Sequence, residues 1–164
     1  MAGTIRVRLH AAEGNKPILA VSDATLAHWT GFSGEGSERH SEPLAPGLHY
    51  VSVTGDGIAT RLLPIEVRAG EEQSIDIEVQ RAQAQQFEIE SPAPMDERHV
   101  RVTQNDKLIA GESFTRFRPS RSGRYQCNLI PGDYTIRVTG SGMSGETTFT
   151  VGAAKSAIVR INLQ

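Results

Sequence analysis

A single cysteine, Cys127, stands in the whole chain, so no internal disulfide can staple the fold. Stability must come from a packed core, and one thiol is compatible with a reducing compartment. There is one tryptophan, Trp29, and aromatic residues make up 5% of the 164 residues. Lysine is scarce as well, present only as Lys16, Lys107 and Lys155. No apolar run is long enough to cross a bilayer as a helix. The opening stretch, MAGTIRVRLHAAEGNK, has no continuous apolar segment of signal-peptide type, and strand alternation begins at once. The expectation is a cytoplasmic protein, on condition that this N-terminus is native. Net charge is only -2, too small a balance to imply a DNA or RNA ligand.

Glycine and proline are plentiful, at 16 and 8 residues, and they punctuate short alternating segments. Residues 4–10 place Ile5, Val7 and Leu9 on one face and charged residues on the other, the pattern of a half-buried strand. Similar patterns predict strands over 17–22, 48–54, 58–68, 73–79, 99–104, 107–110, 113–118, 124–130, 133–139, 145–151 and 156–163. Residues 24–30 fit a short strand or one helical turn. Trp29 and Phe32 are expected to fill the core of the first half. Residues 31–42 (GFSGEGSERHSE) read as an exposed loop, 91–97 (SPAPMDE) as a loop broken by two prolines, and 118–123 (RPSRSG) as a turn.

The chain repeats itself. Residues 44–55 are LAPGLHYVSVTG and residues 129–140 are LIPGDYTIRVTG. His49, Val51 and Val53 correspond to Tyr134, Ile136 and Val138 at a spacing of 85. Val67 matches Val151, and Ile75, Ile77 and Val79 match Val159, Ile161 and Leu163, at 84. At the front, Ile5 and Val7 match Phe87 and Ile89 at 82. Each Pro-Gly pair is suited to a type II turn that sets the register of the following strand. These observations predict an all-β chain of two small β-sandwich domains in tandem, 1–80 and 86–164, joined by a short connector at 81–85. The halves differ in charge: residues 1–80 hold 6 basic against 11 acidic residues, and residues 81–164 hold 11 against 8.

The run L-x-P-G-x-Y-x-(V/I)-x-V-x-G, followed by a strand pair ending V-x-x-G-x-x-x-x-(I/V)-x-(I/V), resembles prealbumin-like and immunoglobulin-like sandwich repeats. These include PEGA-type domains, carboxypeptidase regulatory-like domains and Cna B-type repeats. Leu44, Pro46, Gly47, Val51, Val53 and Gly55 carry the resemblance in the first half. Leu129, Pro131, Gly132, Tyr134, Ile136, Val138 and Gly140 carry it in the second, and His49 departs from the usual Tyr. The resemblance implies the fold and leaves the function open among accessory, adhesive and interaction roles. The internal isopeptide bond of Cna B-type repeats is not expected, because none of the lysines sits on the inward face of a first strand and Asn162 alternates with the apolar residues of the last.

Chemistry-bearing patterns are sparse. His10, His28, His40, His49 and His99 form no H-x-H or H-E-x-x-H spacing, so no metal or other cofactor is expected. Ser22, Asp23 and His28 supply the residue types of a hydrolytic triad without a G-x-S-x-G elbow; a turn or cap is the expected role. Cys127 lies in a predicted strand with no adjacent base, as a buried inert thiol would. The acids at 71–72, 76 and 78 lack the spacing of a calcium loop. The segment 114–125, FTRFRPSRSGRY, stands out. Alternation puts Phe114, Arg116 and Arg118 on one face and Thr115 and Phe117 on the other. Charge of this kind guards an edge strand against sheet extension. It also makes a contact surface. The candidate protein-contact residues are Arg116, Phe117, Arg118, Arg121 and Arg124, with Glu35 and Arg39 from the 31–42 loop.

The expected function is therefore non-enzymatic: an accessory or adaptor protein that binds another protein through its sandwich surfaces. The partner would present an acidic patch, or the acidic first domain would associate with the basic second. A carbohydrate- or surface-binding module of an exported assembly is one alternative, and a transthyretin-like hydrolase is another.

Overall fold

The computed structural model describes residues 1–11, 14–154 and 157–164, and for Arg116 and Phe117 the backbone alone. Lys155 and the side chains of Arg116 and Phe117, considered above, lie outside the described residues. The chain is all-β and divides into two compact units, Met1–Arg81 and Ala82–Gln164.

In the first unit the strands are β1 (Thr4–His10), β2 (Ile18–Asp23), β3 (Trp29–Ser33), β4 (Glu38–Ser41), β5 (Gly47–Thr54), β6 (Arg61–Val67) and β7 (Glu72–Glu78). They run in the order β6-β5-β2-β3-β4-β1-β7. The β3–β4 hairpin carries the path from one layer of the sandwich to the other. Between the layers lie Ile5, Val7 and Leu9 of β1, Val21 of β2, Val51 and Val53 of β5 and Ile77 of β7. Each belongs to the inward half of a period-2 pattern, so burial follows from alternation alone.

The second unit reuses this plan with fewer breaks. Its strands are β8 (Gln83–Gln104), β9 (Lys107–Leu129), β10 (Gly132–Gly140), β11 (Met143–Val151) and β12 (Val159–Asn162). Strand β8 pairs in parallel with β12 through its first half and antiparallel with β10 through its second, as β1 pairs with β7 and β2 with β5. One long strand thus replaces β1 plus β2. Strand β9 likewise replaces β3 plus β4.

The breaks of the first unit survive as register shifts. From Glu90 to Met95 the ladder advances five residues on β8 but only from Ser122 to Ser120 on β9. From Met95 to Glu97 it advances two on β8 but from Ser120 to Thr115 on β9. Pro92 and Pro94 fall in the first shift, where no ladder donor is needed. The loop expected at 91–97 and the turn expected at 118–123 are therefore strand interrupted by bulges. The exposed loop expected at 31–42 is likewise mostly strand. Phe32 pairs with Ser41 and Ser33 with His40, which leaves residues 34–37 as the turn. Ser41 is buried and its Oγ accepts the Ile5 backbone N–H at 2.9 Å.

The connector expected at 81–85 shrinks as well. Arg81 bridges to Ile58 and β8 starts at Gln83. Gln85 is buried at 1% exposure. The register explains why. Gly47 pairs with Val67 and Gly132 with Val151, as the 85 and 84 spacings require. Leu9 pairs with Ile77, and Ile89 pairs with Ile161. Since Ile77 corresponds to Ile161, Leu9 corresponds to Ile89 and Val7 to Phe87, at a spacing of 80 rather than 82. Gln85 thus takes the place of Ile5. A two-residue slip keeps every side chain on its face, so alternation cannot detect it. Gln85 Nε2 donates to the carbonyls of Gln86 and Ala157, both at 2.9 Å.

The Pro-Gly corners are not type II turns. Gly47 has φ 127° and Gly132 φ 156°, well beyond the +80° of that turn. A side chain closes each corner. Tyr134 Oη donates to the Ile130 carbonyl at 2.7 Å, and His49 Nε2 donates to the Ala45 carbonyl at 2.8 Å. Position for position the two bonds correspond, which explains a histidine where the repeat otherwise holds tyrosine. Trp29 lies outside the first unit's core cluster and donates its indole N–H to the Leu26 carbonyl; Leu26 itself is the buried residue there.

Candidate functional site

The arginine segment lies on an edge. Among the described residues β9 pairs with β8 alone, so no strand lies along its other side. Arg118, Arg121 and Arg124 are exposed. Residues 116–119 fall in the second register shift, where β9 bows away from regular pairing. Pro119 sits in that shift, and the edge tolerates its missing N–H.

The support beneath this edge is specific. Arg98 is 5% exposed, its guanidinium 4.6 Å from the centre of the Phe114 ring. Its Nη2 donates to Glu112 Oε1 at 3.4 Å and to the Arg124 carbonyl at 3.2 Å. Arg101 donates to the Glu112 carbonyl and to Ser113 Oγ, and His99 Nδ1 lies 2.8 Å from the same Oγ. A buried cation that bonds the strand's own backbone holds β9 in place while Arg118, Arg121 and Arg124 stay exposed. Alternation through Arg98, Val100 and Val102 places Arg98 on the buried face, a signal that lay in the pattern of 98–102 and that the strand expected at 99–104 stopped one residue short of using.

Comparison of the two units locates the extension. Ser33 corresponds to Ser113 and Glu38 to Arg124 by register. The four-residue turn 34–37 of the first unit thus stands where the second has ten residues, 114–123. Glu35 is exposed in that turn, and Arg39 donates Nη1 to the Gly36 carbonyl within it. Glu35 and Arg39 therefore lie in one unit and the arginine edge in the other, at equivalent places in the plan.

The remaining candidates separate. Asp23 accepts from the Thr25 backbone at 3.0 Å and from the Thr25 hydroxyl, an Asx turn. The hydroxyl bond holds its carboxyl below the usual range. Ser22 Oγ is buried without a hydrogen-bond partner. His10 lies 3.2 Å from Asp76 on the outer face of β1 and β7, and His40 lies 3.2 Å from Glu38. Among the described residues no three His, Cys, Asp or Glu side chains converge as metal ligands. Burial pushes the Cys127 thiol up to about 12, and burial also raises the neighbouring Tyr125 phenol well above its ordinary value. Among the described residues no helix is long and apolar enough to cross a membrane.

No protein-family model matches this chain, and no curated protein matches it either. Solved structures do align with it. The Bacillus anthracis TIE protein is 15% identical, with a TM-score of 0.40 over 99% of this chain and 34% of its own. A leucine-rich repeat protein from Bacteroides thetaiotaomicron is 10% identical, with a TM-score of 0.45 over 98% of this chain and 26% of its own. GBS52, the minor pilin of Streptococcus agalactiae, is 12% identical, with a TM-score of 0.32 over 99% of this chain and 95% of its own. The chain spans about a third and a quarter of the first two.

Proposed function

We propose that the chain is a non-catalytic adaptor that binds an acidic segment of another protein along the outer edge of β9. The observation that carries this reading is a 23-residue strand that, among the described residues, pairs with β8 alone, with Arg118, Arg121 and Arg124 exposed on it. Backbone groups of the edge would supply affinity, and the arginines would select acidic side chains. Edge protection accounts for a single charge, yet the first unit manages the same place with a short turn. Ordering the extra residues of the second unit carries an entropic cost of about 1–2 kcal/mol each, which a binding role offsets. The test is capture of a partner from native lysate by the full chain, set against a variant with Arg118→Glu, Arg121→Glu and Arg124→Glu. A partner recovered by the wild type and lost by the variant, with an acidic segment protected from proteolysis in the complex, supports the reading. Equal recovery by both forms contradicts it.

A further inference from the structure

The second unit holds a cleft of about 460 Å³ at the turn between β8 and β9. That is the size range of small-ligand sites. Its lining is mostly polar, with Tyr134 and Phe149 as the aromatic members. Thr103, Thr135 and Thr148 stand in one cross-strand row on β8, β10 and β11. Beside them are Asn105 and Asp106 of the turn and Asp133 of β10. Asn105 and Asp106 both have positive φ, 49° and 63°, the backbone of a two-residue hairpin. Asp133 Oδ1 accepts from the Thr150 hydroxyl at 2.6 Å, which fixes the carboxylate at the cleft wall. Tyr134 borders the cleft but is 4% exposed and donates its hydroxyl to Ile130, so it serves as backing.

This lining is not part of the repeated scaffold. Asp133 pairs with Thr150 where the first unit pairs Leu48 with Glu66. Thr135 pairs with Thr148 where the first unit pairs Tyr50 with Pro64. The hydroxyl row at 135 and 148 therefore has no counterpart in the first unit.

We propose that this cleft binds a neutral saccharide, with Asp106 and Asp133 accepting from sugar hydroxyls and the threonine row and Asn105 supplying both donors and acceptors. Hydroxyl and amide groups that donate and accept match a polyol, whose every hydroxyl does the same. An anionic ligand would meet two carboxylates, and among the described residues neither Lys nor Arg lines the cleft. An apolar ligand would leave the threonine, asparagine and aspartate groups without partners.

The test is an amide-resolved NMR titration of the full chain. The probes are cellotriose, maltotriose and chitotriose as free sugars, a high-mannose glycopeptide as protein-linked glycan, and calcium chloride alone. The expected result is saturable shifts at residues 103, 105, 133–135 and 148 with at least one saccharide probe. Binding should weaken about tenfold in an Asp133→Leu, Thr135→Tyr double variant, the loss of one or two hydrogen bonds. Those substitutions restore the residues that the first unit carries at the same places. Thr148→Ala, at an exposed position, provides a second test if the double variant loses its fold. The proposal is overturned by the absence of saturable shifts with every saccharide at tens of millimolar. Shifts undiminished in the variants, or shifts with calcium alone, also overturn it.

Discussion

His49 and Tyr134 occupy one position of the repeat and bond the equivalent backbone carbonyl with different side chains. Their costs differ. Tyr134 satisfies its one polar group, whereas His49 also buries Nδ1 without a partner. An unsatisfied buried group costs about 1–3 kcal/mol. His49→Tyr should therefore stabilise the first unit by about 1 kcal/mol. Tyr134→Phe should destabilise the second by about the same amount. Native-state hydrogen exchange, read separately for the core amides of each unit, checks both. At Cys127 burial favours the neutral thiol. A thiol reagent at neutral pH should leave the folded chain unlabelled and label it only in denaturant, because the thiolate is the reactive species.

At the scale of elements, the second unit carries an aromatic group that the first lacks. Phe87 lies 5.8 Å from Tyr125 and 5.2 Å from Phe149, and Phe149 lies 5.7 Å from Tyr134, centre to centre. The register places Val7, Arg39, Ile65 and His49 at these four positions in the first unit. Phe87→Ala should cost about 3–5 kcal/mol, and Val7→Ala less, measured by denaturant unfolding followed at each unit's own resonances. Much of this plan is legible in the sequence. The alternation of β1, β7, β10 and β12 marks their buried faces, and the two Pro-Gly corners mark the copies. Three features are not legible, each for a physical reason. Pro92 and Pro94 look like a strand break because the bulge that accommodates them depends on β9. The shift of Val7 onto Phe87 preserves every face and so leaves no trace in the pattern. The polar cleft joins Asn105 and Asp106 to Thr148, more than forty positions on, and only the order β11-β10-β8 brings them together.

At the scale of the molecule, the two units share one strand plan and differ in the residues that fill it. We propose that the units are independent domains. Residues 1–81 and 82–164 expressed separately should each give dispersed amide spectra that overlay on those of the full chain; a collapsed spectrum from either would show that it depends on the other. Binding along β9 should weaken with added salt, since exposed charges are screened within about 10 Å at 0.1 M. The most direct measurement is hydrogen exchange of the β9 amides with and without the captured partner, or an extended acidic peptide copied from its protected segment. The account predicts slower exchange concentrated at residues 118–124, on the side of the strand that β8 leaves unpaired. Unchanged exchange there while the partner is bound, or slowing confined to another strand, would contradict it.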